Sequence, residues 1–146
     1  MTDAFSPQLD FTGRVALVTG GASGIGYAVA RQLGDLGAGI MIADIDIDRA
    51  NAAADQLVQA GINAAAIHLD VCKPEQAQGA VDRTIDRYGK LDILVHSAGV
   101  GIERPFLETT PEEWRRLIDI DLSGTFYCAQ AAARQMICNN YGRIVC

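Results

Sequence analysis

Thr19-Gly20-Gly21-Ala22-Ser23-Gly24-Ile25-Gly26 is the stretch best suited to chemistry, because its glycines can bring bare backbone close to a polyanion. An apolar run, Arg14 to Thr19, precedes it and a helical pattern follows, so the loop lies where a strand ends and a helix begins. There Gly20 permits a sharp turn, Gly24 lets backbone amides approach a pyrophosphate, and Gly26 lets the helix pack close to the strand. The phosphates would rest on the helix N-terminus, where unpaired N–H groups and the positive dipole end favour anions. The structural alternative is a plain glycine-rich turn. Gly21 and Gly26 also have the separation of a P-loop, but Tyr27 stands where that loop needs its phosphate-binding Lys, which excludes ATP or GTP hydrolysis.

Asp44, eighteen residues after Gly26, closes a second apolar run, at the distance where a carboxylate can accept hydrogen bonds from both hydroxyls of an adenosine ribose. A negative charge there would repel the extra phosphate of NADP, and the residue before Gly24 is Ser23 rather than a basic one. The implied cofactor is NAD. Against this stands a solvated acidic helix lead-in that Asp44 would share with Asp46 and Asp48. His68 and Cys72 have a spacing that suits a metal on a helix, yet His68 falls in an expected strand and Cys72 beyond it, so no metal site is expected. Cys72, Cys128, Cys138 and Cys146 contain no CxxC pair and read as reduced thiols.

Short apolar runs alternate with amphipathic helical patterns five times, which predicts repeated βαβ units and an α/β fold with a parallel sheet. The expected strands are Arg14 to Thr19, Gly39 to Ala43, Asn63 to Leu69, Leu91 to Val95 and Arg143 to Cys146. The first helix should bury Ile25, Val29, Leu33 and Leu36 and stop at Gly37. The second, from about Asp48 as N-cap to Ala60, should bury Ala50, Ala53, Ala54, Leu57 and Val58. Pro74 opens a third, with Ala77, Val81, Ile85 and Tyr88 on one face. A long helix from near Pro111 should bury Trp114, Ile118, Leu122, Ala129, Ala132 and Met136. Residues 1 to 13 read as a loosely held lead-in and 14 to 146 as one dinucleotide-binding domain.

With 146 residues, 49% apolar and 21% charged, the chain has the composition of one domain with a sizeable core. Its formal charge of −6 opposes a nucleic acid backbone or an anionic membrane. No apolar stretch reaches membrane-spanning length and Met1 to Leu9 lacks a signal core, so the expected location is cytoplasmic.

The run Thr-Gly-x-x-x-Gly-Ile-Gly at 19 to 26 resembles the short-chain dehydrogenase/reductase family. Asp70-Val71 resembles that family's adenine-contacting pair, His96-Ser97-Ala98-Gly99 its Asn-Asn-Ala-Gly segment, and Glu112 to Phe126 the long helix before its catalytic strand. The resemblance runs from about Phe11 to Cys146 and implies a Rossmann-like, doubly wound three-layer α/β/α fold. It also implies an oxidoreductase moving hydride between a secondary alcohol or ketone and the nicotinamide, and a homo-oligomer in the complete form. Two positions depart from the pattern. His96 replaces an Asn that braces the sheet, and Asp121 stands where the family has an Asn that holds a water in its proton relay. Asp121 should be at least partly buried, either as a functional group or as a tolerated substitution satisfied by backbone amides or water. The family's chemistry uses a Ser after the fifth strand and a Tyr-x-x-x-Lys. Here Arg31, Asp92, Ala131 and Val145 follow Tyr27, Tyr88, Tyr127 and Tyr141 at the lysine position, so the chain is expected to be the C-terminally truncated, cofactor-binding half. The alternative is a non-catalytic nucleotide-binding or interaction module.

Overall fold

The computed structural model describes residues 9–146. The lead-in up to residue 8 lies outside the described residues; beyond it, the Phe11 amide donates to the Leu36 carbonyl at 2.9 Å and its ring packs on the core.

Five strands, β1 Val15–Thr19, β2 Gly39–Asp44, β3 Ala64–His68, β4 Ile93–His96 and β5 Arg143–Val145, form one parallel sheet in the order β3-β2-β1-β4-β5. The chain builds outward from β1 through β2 to β3, then crosses to the other side of β1 for β4 and β5. That reversal beside β1 is a topological switch point, where the carboxyl ends of neighbouring strands splay their loops apart. Register puts Thr19 level with Ala43 on one side and His96 on the other, and Asp44 level with His68.

Helices α1 Gly24–Asp35 and α2 Ile47–Gln59 cover one face over Ala16, Val18, Ile40 and Ile42. Helices α3 Pro74–Tyr88 and α5 Gly124–Cys138 cover the other over Leu17, Met41, Leu91 and Leu94. Burial on both faces explains why β1 and β2 are nearly continuous apolar runs rather than alternating ones. Cys128 lies in the second layer, where burial pushes its thiol up to about 12, so it behaves as a small apolar side chain.

The sequence reading is corrected at three helices. Helix α1 buries Gly26, Ala30 and Gly34, while Val29, Leu33 and Leu36 are half-buried and Ile25 is exposed, because a seam of small residues lets the helix approach closely. The closest approach is to the loop rather than the strand, since a Cβ on Gly26 would run into the Gly20 carbonyl. Helix α2 is capped by Asp46, whose carboxylate accepts from the Arg49 amide, and not by Asp48; Val58 faces solvent. The long helix is not one regular rod: α4 Pro111–Leu117 passes through a π-helical turn, Ile118–Ser123, into α5. That turn shifts the helical phase, so Trp114 and Leu122 are exposed whereas Cys128, Ala131, Ala132 and Met136 are buried.

The sheet end opposite the glycine loop is held by Asp92, only 5% exposed. Its carboxylate accepts from the Val15 amide and Arg14 at 3.0 Å each and from Lys90 at 3.1 Å. Asp92→Ala is expected to cost about 2–3 kcal/mol, chiefly by stranding the buried Val15 N–H, with less from the partly exposed cations. Chemical denaturation checks this, and an unshifted midpoint would exclude it.

Candidate nucleotide-binding site

At the carboxyl ends of β1, β2, β3 and β4 lies a cleft of about 840 Å³, lined on one side by Gly20, Ser23, Gly24, Ile25, Asp44 and Arg49. Asp70, Val71, Cys72, Ser97, Ala98, Gly99 and Val100 line the opposite side, and Arg115, Arg116 and Asp119 the mouth. Ten of the expected site residues therefore meet in one concavity. Gly21, Ala22 and Gly26 support the loop from behind, and His96 and Asp121 lie beneath the wall rather than on it.

The glycine loop owes its shape to two close approaches. Gly20 has φ +62° and lies so near the β4 loop that a Cβ would come within 2.8 Å of the Ala98 backbone. Gly24 has φ +56°, but a Cβ there would meet nothing within 4 Å and would enter open space. Ser23 caps α1 by position without a side-chain hydrogen bond, and the first turn holds no acidic residue. First-turn amides of α1 thus point to a cleft free of competing carboxylates from their own helix, which suits a phosphate group.

Asp44 is half-buried at the end of β2. One carboxylate oxygen accepts from the Ala22 amide at 3.2 Å, the other from the Asp46 amide at 3.1 Å. Each oxygen keeps lone-pair capacity for a further donor, so the same group that ties the glycine loop to β2 can receive two hydroxyls. On the far side, Asp70 is fixed by its amide donating to Gln76 at 2.8 Å and by its carboxylate accepting from the Cys72 amide at 3.0 Å. Val71 is largely buried against Gly124, where a Cβ would approach Val71 Cγ2 to 2.8 Å. Burial and the neighbouring Asp70 carboxylate push the Cys72 thiol up.

Thr19, which opens the glycine motif but has no role of its own in the sequence reading, is the hub of the β1 and β4 loops. Its hydroxyl oxygen accepts from the Ser97 and Ala98 amides at 3.2 Å each and lies 3.0 Å from His96 Nδ1. A hydroxyl in an otherwise apolar, fully buried strand was the signal available. His96 is buried, and desolvation lowers its pKa below the ordinary imidazole value against the opposing pull of the Asp121 carboxylate, so it is neutral at pH 7. Asp121, on the π-helical turn, is partly buried and accepts from the Val100 amide at 2.9 Å. Arg49, Arg115, Arg116 and Asp119 also line the cleft, and no spacing rule marked them, because they reach it from α2 and the long helix only after folding. Among the described residues no group of three metal-ligating side chains occurs, and no helix is long and apolar enough to cross a membrane.

A search of the curated proteins finds 2,3-dihydroxy-2,3-dihydro-p-cumate dehydrogenase of Pseudomonas putida, 38% identical over 94% of this chain and 53% of that protein. The 5-keto-D-gluconate 5-reductase of Escherichia coli K12 is 35% identical over 99% of this chain and 56% of its own length. Among solved structures, a short-chain type dehydrogenase/reductase from Mycobacterium marinum superposes with a TM-score of 0.89 and 35% identity, covering 92% of this chain and 55% of that one. The chain thus spans about half the length of the curated relatives it matches. The family model for short chain dehydrogenases matches residues 14–146, the whole sheet with its helices and cleft, and the chain belongs to that family.

Proposed function

We propose that this chain forms the NAD(H)-binding part of an oxidoreductase that moves hydride between a secondary alcohol or ketone and the nicotinamide. The observation that carries the reading is Asp44, a half-buried carboxylate at the rim of the cleft, level with the glycine loop and with acceptor capacity left on both oxygens. Bound NAD would supply the hydride acceptor. The chain's part is to hold it: amides of Gly20 to Gly26 at the pyrophosphate, Asp44 at the adenosine ribose, Asp70 and Val71 at the adenine, and Ser97 to Gly99 as the floor. Hydride-transferring activities in the names of the relatives support the reaction class.

NAD is preferred in this reading because Asp44 repels a 2′-phosphate. Arg49 lines the same cleft and is the side chain that would work against the preference. In fluorescence or calorimetric titration, NAD should bind more tightly than NADP, and Asp44→Ala should erode the difference by about 2 kcal/mol through the lost charge-assisted pair. Arg49→Ala should leave the order unchanged. Equal affinities in the parent protein would overturn the assignment. We also read the complete form as a homo-oligomer, supported by the exposed apolar side chains Trp114, Leu122 and Phe126 along the long helix.

A further inference from the structure

His96 and Asp121 are the two positions that depart from the family pattern, and the fold brings both to one loop. The segment Ser97 to Val100 is pinned at its start by Thr19, to which His96 is bonded, and at its end by Asp121 through the Val100 amide. The protonation of His96 follows from its partner. The Thr19 hydroxyl oxygen accepts the Ala98 amide and shares the Ser97 amide with the Thr19 carbonyl, an arrangement that favours turning its own proton to His96 Nδ1 and leaves the ring proton on Nε2. That Nε2 is buried and meets no hydrogen-bond partner. A buried N–H left unpaired costs about 1–3 kcal/mol, and such groups are normally closed by protein or by an ordered water. Asp121 offers the matching half: one carboxylate oxygen is occupied by Val100, and the second has no donor among the described residues.

We infer that His96 and Asp121 are a pair of positioning residues, joined by one buried water that accepts from His96 Nε2–H and donates to the free oxygen of Asp121, and that they clamp the Ser97–Val100 loop at both ends. The Asp121 charge already acts on the imidazole. The pair touches no cofactor; it holds the loop that, on the reading of the cleft given above, forms the cofactor floor. Asparagine at either position would not reproduce this arrangement, since the imidazole supplies a donor on the far side from Thr19 and the carboxylate supplies an acceptor with no competing N–H.

The test is 1H–15N NMR of the parent protein, Asp121→Asn, His96→Asn and the double variant, recording the His96 ring and hydrogen exchange of the Ser97 to Val100 amides. The expected result is a neutral, Nε2-protonated ring with a slowly exchanging Nε2 proton, whose signal shifts in Asp121→Asn. Either single substitution should speed exchange at both ends of the loop by about tenfold or more, and the double variant should exchange no faster than the worse single. The pair is overturned by a His96 ring signal that ignores Asp121→Asn, or by exchange effects confined to the end each residue touches and multiplying in the double variant. Asp121→Asn is nearly isosteric and keeps the Val100 acceptor, so it tests the pair even where His96→Asn fails to fold. Titration of the parent with NAD is a separate arm. A failure there removes the cofactor reading and leaves the NMR result on the pair standing.

Discussion

Gly24→Val is expected to weaken binding of NAD and NADP alike by at least about 100-fold, a loss of about 2.7 kcal/mol, while the chain remains folded. Nothing lies within 4 Å of a Cβ at this position, so a branched side chain meets no protein atom and instead stands in the cleft where the pyrophosphate would approach the α1 amides. The folded state does bear a cost, since φ at Gly24 is +56°, in the left-handed region that costs an L-residue about 1–2 kcal/mol. Gly24→Ala carries a smaller backbone penalty, because it lacks the β-branch of Val, and less bulk, and should therefore bind more tightly than Gly24→Val and be the more stable of the two. Gly26→Val supplies the contrast: its Cβ is driven into the Gly20 carbonyl, so the loop itself must move and thermal stability should fall. Calorimetric titration beside thermal unfolding separates these outcomes. Undiminished affinity in Gly24→Val would mean that the loop is only a turn.

The second large effect is the expected absence of turnover: these 146 residues alone should transfer no hydride even when saturated with NAD. Removing a proton from an alcohol near neutral pH needs a positioned base, which typically contributes about 10²–10⁴-fold. No tyrosine in the sequence has a lysine four residues on. His96 and Asp121, the two positions that depart from the family pattern, are engaged elsewhere. His96 gives Nδ1 to Thr19 and is buried beneath the wall, and Asp121 binds the Val100 amide. Neither lines the cleft. The check is NADH absorbance over a panel of secondary alcohols, polyols and ketones, with nucleotide binding confirmed on the same sample. Turnover that tracks the protein and disappears in Gly24→Val would show that another base operates here.

The alternation of apolar runs with helical patterns and the strand–glycine–helix context determined the α/β class, all five strands within two residues and the location of the glycine loop. These are local properties: a period of 3.6 or a run of β-formers is legible without knowing what it packs against. Asp44 was legible for the same reason, since its distance from the loop follows from the length of one helix and one strand. The buried face of α1 was legible only in part: Val29 and Leu33 do pack on the core, but the periodic rule scores large apolar residues, whereas close approach at Gly26, Ala30 and Gly34 selects small ones. The phase of the long helix was lost because one π-helical turn rotates everything before it relative to everything after, and no residue type announces that turn. Only the tertiary structure decided that Thr19 binds two loops, that Asp44 ties the glycine loop to β2 as well as facing the cleft, and that His96 and Asp121 meet the two ends of one segment. Those contacts join residues 21 to 79 positions apart, and the strand order of a parallel sheet, not sequence spacing, sets which of them become neighbours.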